Sequence, residues 1–276
     1  MTNWALPSVL AMGKQDIIER ACSTADHQGR ESWLWMPTKK CKSRHICLVA
    51  HVDTVFDGDF YGDFYGHAPR GNKKIYHDTK KQVYWSPEGL GADDRAGVYA
   101  VMELRRQTGC MVLLTDHEEC GGGGAREAAE IFRSYFKKVV FFLEIDRKER
   151  GEMVFYNGES PAFKAFIGGF GFREKPGSFS DISILSRETG IVGVNLSAGY
   201  YNQHTRAEYL IEKDLHYTMQ AAVKIIQEGG GAHGRSEWKI AEAICPEFGR
   251  HYDSRDVFVR SYRRREGAKV VGSREI

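Results

Sequence analysis

The sequence lacks the features that mark disulfide-stapled, membrane-spanning and nucleic-acid-binding proteins. Its six cysteines form no C-x-x-C pair and no dense spacing, so nothing indicates a disulfide framework. No apolar run approaches the length of a membrane span. The net charge is only +2, which gives no overall field that would favour nucleic acid or a lipid surface. We therefore predict a cytoplasmic protein, with no nucleic-acid, membrane or obligate protein partner.

Length and composition allow a sizeable hydrophobic core. The 276 residues, 42% of them hydrophobic, suffice for one large domain or two small ones. A Gly-rich break at 229–231 precedes a C-terminal stretch that is locally basic and includes Arg263, Arg264 and Arg265. Charge runs of this kind usually form solvated surface. We predict one domain over residues 1–230 and a basic extension over 231–276.

Apolar runs and helical periodicities alternate along the chain. Continuous apolar runs predict buried strands at 46–50, 110–115 and 139–143, with further strands near 83–85, 153–156, 163–167 and 191–196. Apolar residues at helical spacing predict helices over 96–107, 125–136 and 212–228. Strands that alternate with helices favour an α/β fold of three layers, α/β/α, with a mainly parallel or mixed central sheet.

Histidines and carboxylates follow the apolar strands directly. His51 and Asp53 come after the first strand, Glu118 and Glu119 after the second, and Asp146 after the third. Ligands of such sheets bind beyond the carboxyl ends of the strands, so we expect these side chains to meet there. Two more polar segments belong to the pattern, one around Asp93-Asp94 and one at His204. Nitrogen and oxygen donors without thiolate fit zinc, cobalt or manganese in a catalytic site.

Each polar segment can serve a particular purpose in a two-metal site. An Asp two residues after a metal-binding His can orient an imidazole through a hydrogen bond. The Asp93-Asp94 pair offers a carboxylate that can bridge two cations. Of Glu118 and Glu119, one can bind metal while its neighbour stays free to accept a proton.

In combination and order, the five segments resemble the metal motifs of the co-catalytic zinc exopeptidases, a superfamily that includes peptidase T, glutamyl aminopeptidases and bacterial leucyl aminopeptidases. The family pattern runs H-x-D, G-x-D-D-[KR]-x-G, E-E-x-G-x-x-G-A, an Asp and a His. The chain carries it at 51–53, 91–97, 118–125, Asp146 and His204.

The resemblance implies a ligand set and a reaction. One metal would be bound by His51, Asp93 and Asp146, and the second by Asp93, Glu119 and His204. Asp93 would be the bridge, Glu118 the general base and Asp53 the residue that orients a ligand. The implied cofactors are two divalent metals, zinc first, with cobalt or manganese as alternatives. The implied reaction is hydrolysis of an amide bond near a free terminus of a small peptide, by water that the two bridged metals and Glu118 activate.

Motif spacing narrows the architecture within this superfamily. Many relatives insert a lid or dimerisation domain in one of two gaps, but here only 57 residues separate Asp146 from His204 and 41 separate His51 from Asp93. A compact domain needs roughly a hundred residues. We therefore predict a single catalytic domain without an inserted lid. Two other functions stay open: a deacylase of N-acyl amino acids, and a non-catalytic metal-binding scaffold, against which the intact Glu118 argues.

Overall fold

The computed structural model describes residues 4–41, 45–57, 73–230 and 238–240. The helices in these ranges are α1 (Leu6–Ala11), α2 (Lys14–Thr24), α3 (Ala92–Thr108), α4 (Gly123–Ile131), α5 (Arg133–Phe136), α6 (Pro161–Gly168), α7 (Asp181–Thr189) and α8 (Glu212–Gly229). The strands are β1 (His27–Gln28), β2 (Ser32–Trp35), β3 (His45–His51), β4 (Tyr76–Asp78), β5 (Val83–Trp85), β6 (Met111–Thr115), β7 (Val139–Arg147), β8 (Glu152–Val154), β9 (Arg173–Glu174), β10 (Gly193–Ser197), β11 (Tyr200–Tyr201) and β12 (Tyr209–Ile211). Within the described ranges, every helix is too short or too polar to cross a membrane.

A mixed eight-stranded sheet forms the centre of the molecule. Its strand order is β1-β2-β6-β3-β7-β10-β8-β9. The four central strands, β6, β3, β7 and β10, run parallel. Their flanking neighbours β2 and β8 pair antiparallel to them. The four parallel strands therefore present their carboxyl ends at one edge, which is where the sequence places its histidines and carboxylates.

Helices cover both faces of this sheet. Along β3 the side chains alternate between two cores, because successive residues of a strand point to opposite faces. Leu48 belongs to the core that also contains Val98 of α3 and Ile225 of α8. Its neighbour Val49 belongs to the other core, with Ala125 of α4 and other side chains from α7. The predicted α/β fold, with three layers and a mixed sheet, is confirmed.

A second, smaller sheet lies beside the edge of the large sheet at which the four parallel strands end. Its four strands, in the order β11-β12-β5-β4, pair antiparallel throughout. The turn between β11 and β12 contains His204, and the segment that follows β5 leads to Asp93. The predicted strand at 83–85 is confirmed as β5. Because β5 and β12 are hydrogen-bonded neighbours, the small sheet ties these two segments together.

The predicted strand at 163–167 is wrong, since these residues form most of α6. The helix begins at Pro161, a residue favoured in the first turn because it has no N–H to satisfy. The Ser160 hydroxyl caps it by accepting a hydrogen bond from the Phe163 amide at 3.4 Å. Phe163 and Ile167, four residues apart, are both buried. Short apolar runs do not distinguish a buried strand from a buried helix, and here the cap decides.

The predicted extension over 231–276 lies outside the described residues except for 238–240. Trp238 is only 4% exposed. Its ring lies 5.5, 5.1 and 4.9 Å from those of Phe141, Phe163 and Phe166, measured between centroids. The amide of Ser160 also donates to the Lys239 carbonyl at 2.7 Å. The packed part of the chain therefore reaches residue 240.

Removal of the Trp238 side chain should destabilise the domain. We expect Trp238→Ala to lower the free energy of unfolding by about 3–5 kcal/mol, as deletion of a large buried aromatic does. Trp85→Ala is the matched control, because the Trp85 ring is 40% exposed, and it should cost at most about 1 kcal/mol. Urea titration followed by circular dichroism measures both. Equal losses for the two variants would contradict the assignment of Trp238 to the core.

Candidate metal centre

The carboxyl ends of three parallel strands and two flanking segments converge on one point. His51 ends β3 and pairs with Thr115, the last residue of β6. The turn after β6 carries Glu118 and Glu119, and Asp146 lies near the end of β7. From the side, the start of α3 brings Asp93 and the β11–β12 turn brings His204. The predicted residues of all five segments therefore lie at the edge where the parallel strands end.

The side chains form two groups that share Asp93. The first contains His51, Asp93 and Asp146, and the second contains Asp93, Glu119 and His204, with ligand atoms in each group within 4.8 Å of one another. His51 Nε2 lies 3.3 Å from Asp93 Oδ1 and 3.5 Å from Asp146 Oδ1. His204 Nε2 lies 3.1 Å from both Asp93 Oδ2 and Glu119 Oε1. The structure brings all five predicted ligands together, and their binding of metal stays a prediction.

Asp94 takes a structural part, unlike its neighbour Asp93. Its buried carboxylate accepts a hydrogen bond from the His51 amide at 3.2 Å and from the Gly97 amide at 2.9 Å. Asp94 therefore fastens the start of α3 to the end of β3, while the Asp93 carboxylate stands in both donor groups. The peptide bond between the two residues is cis.

The basic residue of the same motif, Arg95, also fixes this corner. Its guanidinium is 1% exposed and donates to the carbonyl oxygens of Val52 and Met12. It pairs with the Asp57 carboxylate at 3.2 Å. A buried cation needs such partners because it loses its hydration on burial. Arg95 thereby joins α3, the loop after β3 and the end of α1.

Asp53 contacts two parts of the centre. Its backbone carbonyl lies 3.0 Å from Nδ1 of His51 and its carboxylate lies 3.3 Å from the same atom. That carboxylate also accepts hydrogen bonds from the amides of Glu118 and Glu119, at 3.1 Å each. The sequence predicted only that Asp53 orients a ligand. The contact with the two glutamate amides was not predicted. Asp53 holds the Glu118-Glu119 turn against β3 as well.

Asp146 is held by two residues that the sequence analysis missed. The Asp146 amide donates to the Asn195 side chain at 2.9 Å, and the Asn195 amide group returns a bond to the Asp146 carboxylate at 3.3 Å. The Tyr200 hydroxyl donates to the Asp146 carbonyl oxygen at 2.6 Å. The available signal was weak: Asn195 is a single polar residue inside an apolar run. Neighbouring strand β10 thus fixes the position of this carboxylate.

Burial and mutual repulsion shift three carboxyl groups of the centre towards their protonated forms, those of Glu118, Glu119 and Asp146. Burial raises the pKa of Glu118 well above its usual value. Burial, with the Asp93 charge adding to it, raises the pKa of Glu119 to about 7. The same two causes raise the pKa of Asp146 to about 6. Several carboxylates can therefore stay ionised together only if positive charge lies between them.

The pKa values of the two histidines are also raised, which favours the charged form of each imidazole. Burial alone lowers the pKa of His204, but hydrogen bonds with Asp93 and Glu119 outweigh it and raise the pKa to about 11. Burial likewise opposes the ionised form of Asp93, yet hydrogen bonds from His204 and His51 hold its pKa below the usual value. The centre therefore attracts positive charge strongly.

The donor set fits divalent cations. Nε2 of His51 and Oε1 of Glu119 are buried, and outside the two donor groups they find no hydrogen-bond partner among the residues that the structure describes. Buried polar atoms without partners are costly in a folded protein, and metal coordination is one way to satisfy them. Two imidazole nitrogens together with carboxylate oxygens are the donors that zinc and related ions take in catalytic sites.

Several solved structures with the same fold are peptidases. An aminopeptidase, PepT, from Bacillus cereus superposes with a TM-score of 0.57 at 13% identity, over 81% of this chain and 96% of that one. A tripeptidase from Staphylococcus aureus gives 0.58 at 14% identity, over 82% and 97%. An aminopeptidase from Desulfurococcus kamchatkensis gives 0.56 at 13%, over 81% and 93%. At these identities the likeness shows the fold, which is the fold that the motif resemblance implied.

Comparison by sequence adds nothing to this likeness. No protein-family model matches the chain, and no match is found among curated proteins. The similarity to the exopeptidases therefore lies in the fold and in the order and position of the motif residues.

A methyl group at Gly97 should disturb the start of α3. A Cβ added there would collide with the Asp94 carboxylate, which is fixed by its two hydrogen bonds. We expect Gly97→Ala to lower the free energy of unfolding by about 1–3 kcal/mol, as overpacking does. Gly168→Ala is the control, since the nearest atom to its Cβ is the end of the flexible Met153 side chain at 3.5 Å. Denaturant titration should separate the variants, and an unchanged Gly97→Ala protein would refute the close contact.

Proposed function

We propose that this chain is a metal-dependent hydrolase that cleaves an amide bond next to a free terminus of a small peptide, as an aminopeptidase or a di- or tripeptidase. The observation that carries the proposal is the pair of donor groups that share Asp93, with the Glu118 carboxyl beside them. The fold is that of solved aminopeptidases and a tripeptidase, which supports the same class of reaction.

The proposed cofactors are two divalent cations, zinc first, with cobalt or manganese as alternatives. His51, Asp93 and Asp146 would hold one, and Asp93, Glu119 and His204 the other. When bound, such ions polarise a substrate carbonyl and acidify water. The carboxyl groups whose ionisation is opposed by burial then gain the positive charge that they need.

Glu118 is the proposed general base. Its carboxyl lies outside both donor groups, and Oε2 is 3.9 Å from Nε2 of His51. The side chain is 8% exposed, and its backbone is fixed by Asp53. The carboxylate is therefore held beside both donor groups, where it can accept a proton from water. It then donates that proton to the amine that leaves.

The proposed architecture is one catalytic domain without an inserted lid, and it extends past the predicted boundary at residue 230 because Trp238 packs in its core. The 57 residues between Asp146 and His204 support it, because they supply β8, β9, β10 and β11 together with α6 and α7. These elements belong to the two sheets and the covering layers. A cytoplasmic location stays a prediction. That the protein binds its substrate without an obligate protein partner also stays a prediction.

Loss of the Glu118 carboxylate should abolish turnover and leave the metals bound. We expect Glu118→Gln to lower kcat by about 10²- to 10⁴-fold, because the amide cannot accept the proton. Metal content, measured by inductively coupled plasma mass spectrometry, should stay at two ions per chain. Glu149→Gln, at an exposed position, is the control and should keep full activity. Turnover retained by Glu118→Gln would overturn the role assigned to this residue.

The bond that is cleaved can be identified with a mixed substrate library. Free-amino di- and tripeptides are digested beside their N-acetylated counterparts by zinc- or cobalt-loaded protein, and the products are read by mass spectrometry. We expect cleavage of free-amino peptides that is lost on addition of a chelator. Cleavage of acylated substrates alone would make the protein a deacylase. Cleavage of neither, with two metals bound, would favour a non-catalytic scaffold.

A further inference from the structure

A buried carboxylate that belongs to neither donor group lies directly behind the centre. Glu208 is 1% exposed and stands at the end of the β11–β12 turn. Its carboxylate accepts hydrogen bonds from three consecutive amides, those of Gly91, Ala92 and Asp93. The bonds to Ala92 and Asp93 measure 3.2 Å each. Both oxygens are used, so the contact fixes the orientation of this segment as well as its distance.

The three amides belong to a segment that cannot hold its own shape through helical hydrogen bonds. Although α3 begins at Ala92, Asp93 and Asp94 do not have helical backbone angles, and Gly91 adopts a left-handed conformation with φ of 62°. Such residues leave their amides free, and the Glu208 carboxylate satisfies three of them. The position of the Asp93 side chain, which stands in both donor groups, therefore depends on Glu208.

The other end of the same contact is the turn that carries His204. The His204 side chain is 48% exposed and its backbone has a φ of 62°, so packing alone does not fix it. Within the turn, the Glu208 amide donates to the Thr205 carbonyl at 3.1 Å, and the Thr205 hydroxyl donates to the Asn202 carbonyl at 2.7 Å. These bonds close the turn that contains His204, and the Glu208 carboxylate joins this turn to the Asp93 amide.

We propose that Glu208 is a positioning residue for the metal centre, which sets the separation of Asp93 and His204 by clamping the β11–β12 turn to the backbone of residues 91–93. The inference rests on the proposed two-metal function. It extends that function with a residue that lies outside both donor groups. Glu119 and Asp146 are positioned from other elements, so the loss of Glu208 should affect the group that contains His204 more than the group that contains His51.

The chain offers a control with the same chemistry. Glu127 also clamps a loop, because its carboxylate accepts hydrogen bonds from the amides of Arg30 and Glu31 at 2.8 and 2.9 Å. That loop carries no predicted ligand. Glu127→Gln and Glu208→Gln therefore remove comparable clamps, and only the second lies between two predicted ligands.

The test is the affinity of the protein for Zn²⁺. Wild type, Glu208→Gln and Glu127→Gln are stripped with chelator and titrated with Zn²⁺ against a competing chelating dye. We expect wild type to bind two ions, and Glu208→Gln to bind one of them about 10- to 100-fold more weakly, as loss of a residue that orients ligands does. Glu127→Gln should match wild type. The melting temperature of the metal-free proteins should fall by similar amounts in the two variants.

The outcomes separate the inference from the proposed function. Two ions bound by Glu208→Gln with wild-type affinity would overturn the inference and leave the function intact. Fewer than two ions bound by wild type would overturn the function and the inference with it. If Glu208→Gln does not fold, Glu208→Asp replaces it, since the shorter side chain keeps the charge but cannot reach all three amides. Wild-type affinity in Glu208→Asp would then also contradict the inference.

Discussion

The crowding of buried carboxylates at one edge of the sheet is the constraint on which the rest of the structure depends. Four carboxylate side chains lie within a few ångströms of two imidazoles and are almost fully removed from water, those of Asp93, Glu118, Glu119 and Asp146. Like charges in such surroundings repel strongly, since the protein interior screens them poorly. They stay ionised together only with compensating positive charge, and the geometry of the two donor groups suits a pair of divalent cations.

Much of the surrounding architecture serves to hold these charges in place. Parallel strands give three of the segments a rigid base, and each segment that carries a predicted ligand has its own support. Asp94 and Arg95 fasten the start of α3, Asp53 holds the Glu118-Glu119 turn, and Asn195 holds Asp146. The His204 turn depends on the small sheet. A site that must bind cations in a fixed geometry requires such outer contacts, because ligands on loose segments lose affinity.

The sequence predicted the fold class and the convergence of the donor residues because both depend on local signals. Apolar runs mark the buried strands, and a polar residue after each run marks the functional edge. The prediction of a strand at 163–167 was wrong because a short apolar run is also compatible with a helix. Ser160 and Pro161 favour the start of helix α6 at this point. The residues that hold the predicted ligands in place were missed for another reason. Asn195 and Glu208 act through contacts between residues distant in the chain, which no local pattern reveals.

The proposed function requires that Asp93 lie between two metal ions. Its most direct test is a crystal of the zinc-loaded protein, with anomalous difference maps calculated from data collected on both sides of the zinc absorption edge. We expect two zinc peaks, one bounded by His51, Asp93 and Asp146 and the other by Asp93, Glu119 and His204. A single peak, peaks away from Asp93, or ligation through Asp94 would contradict it.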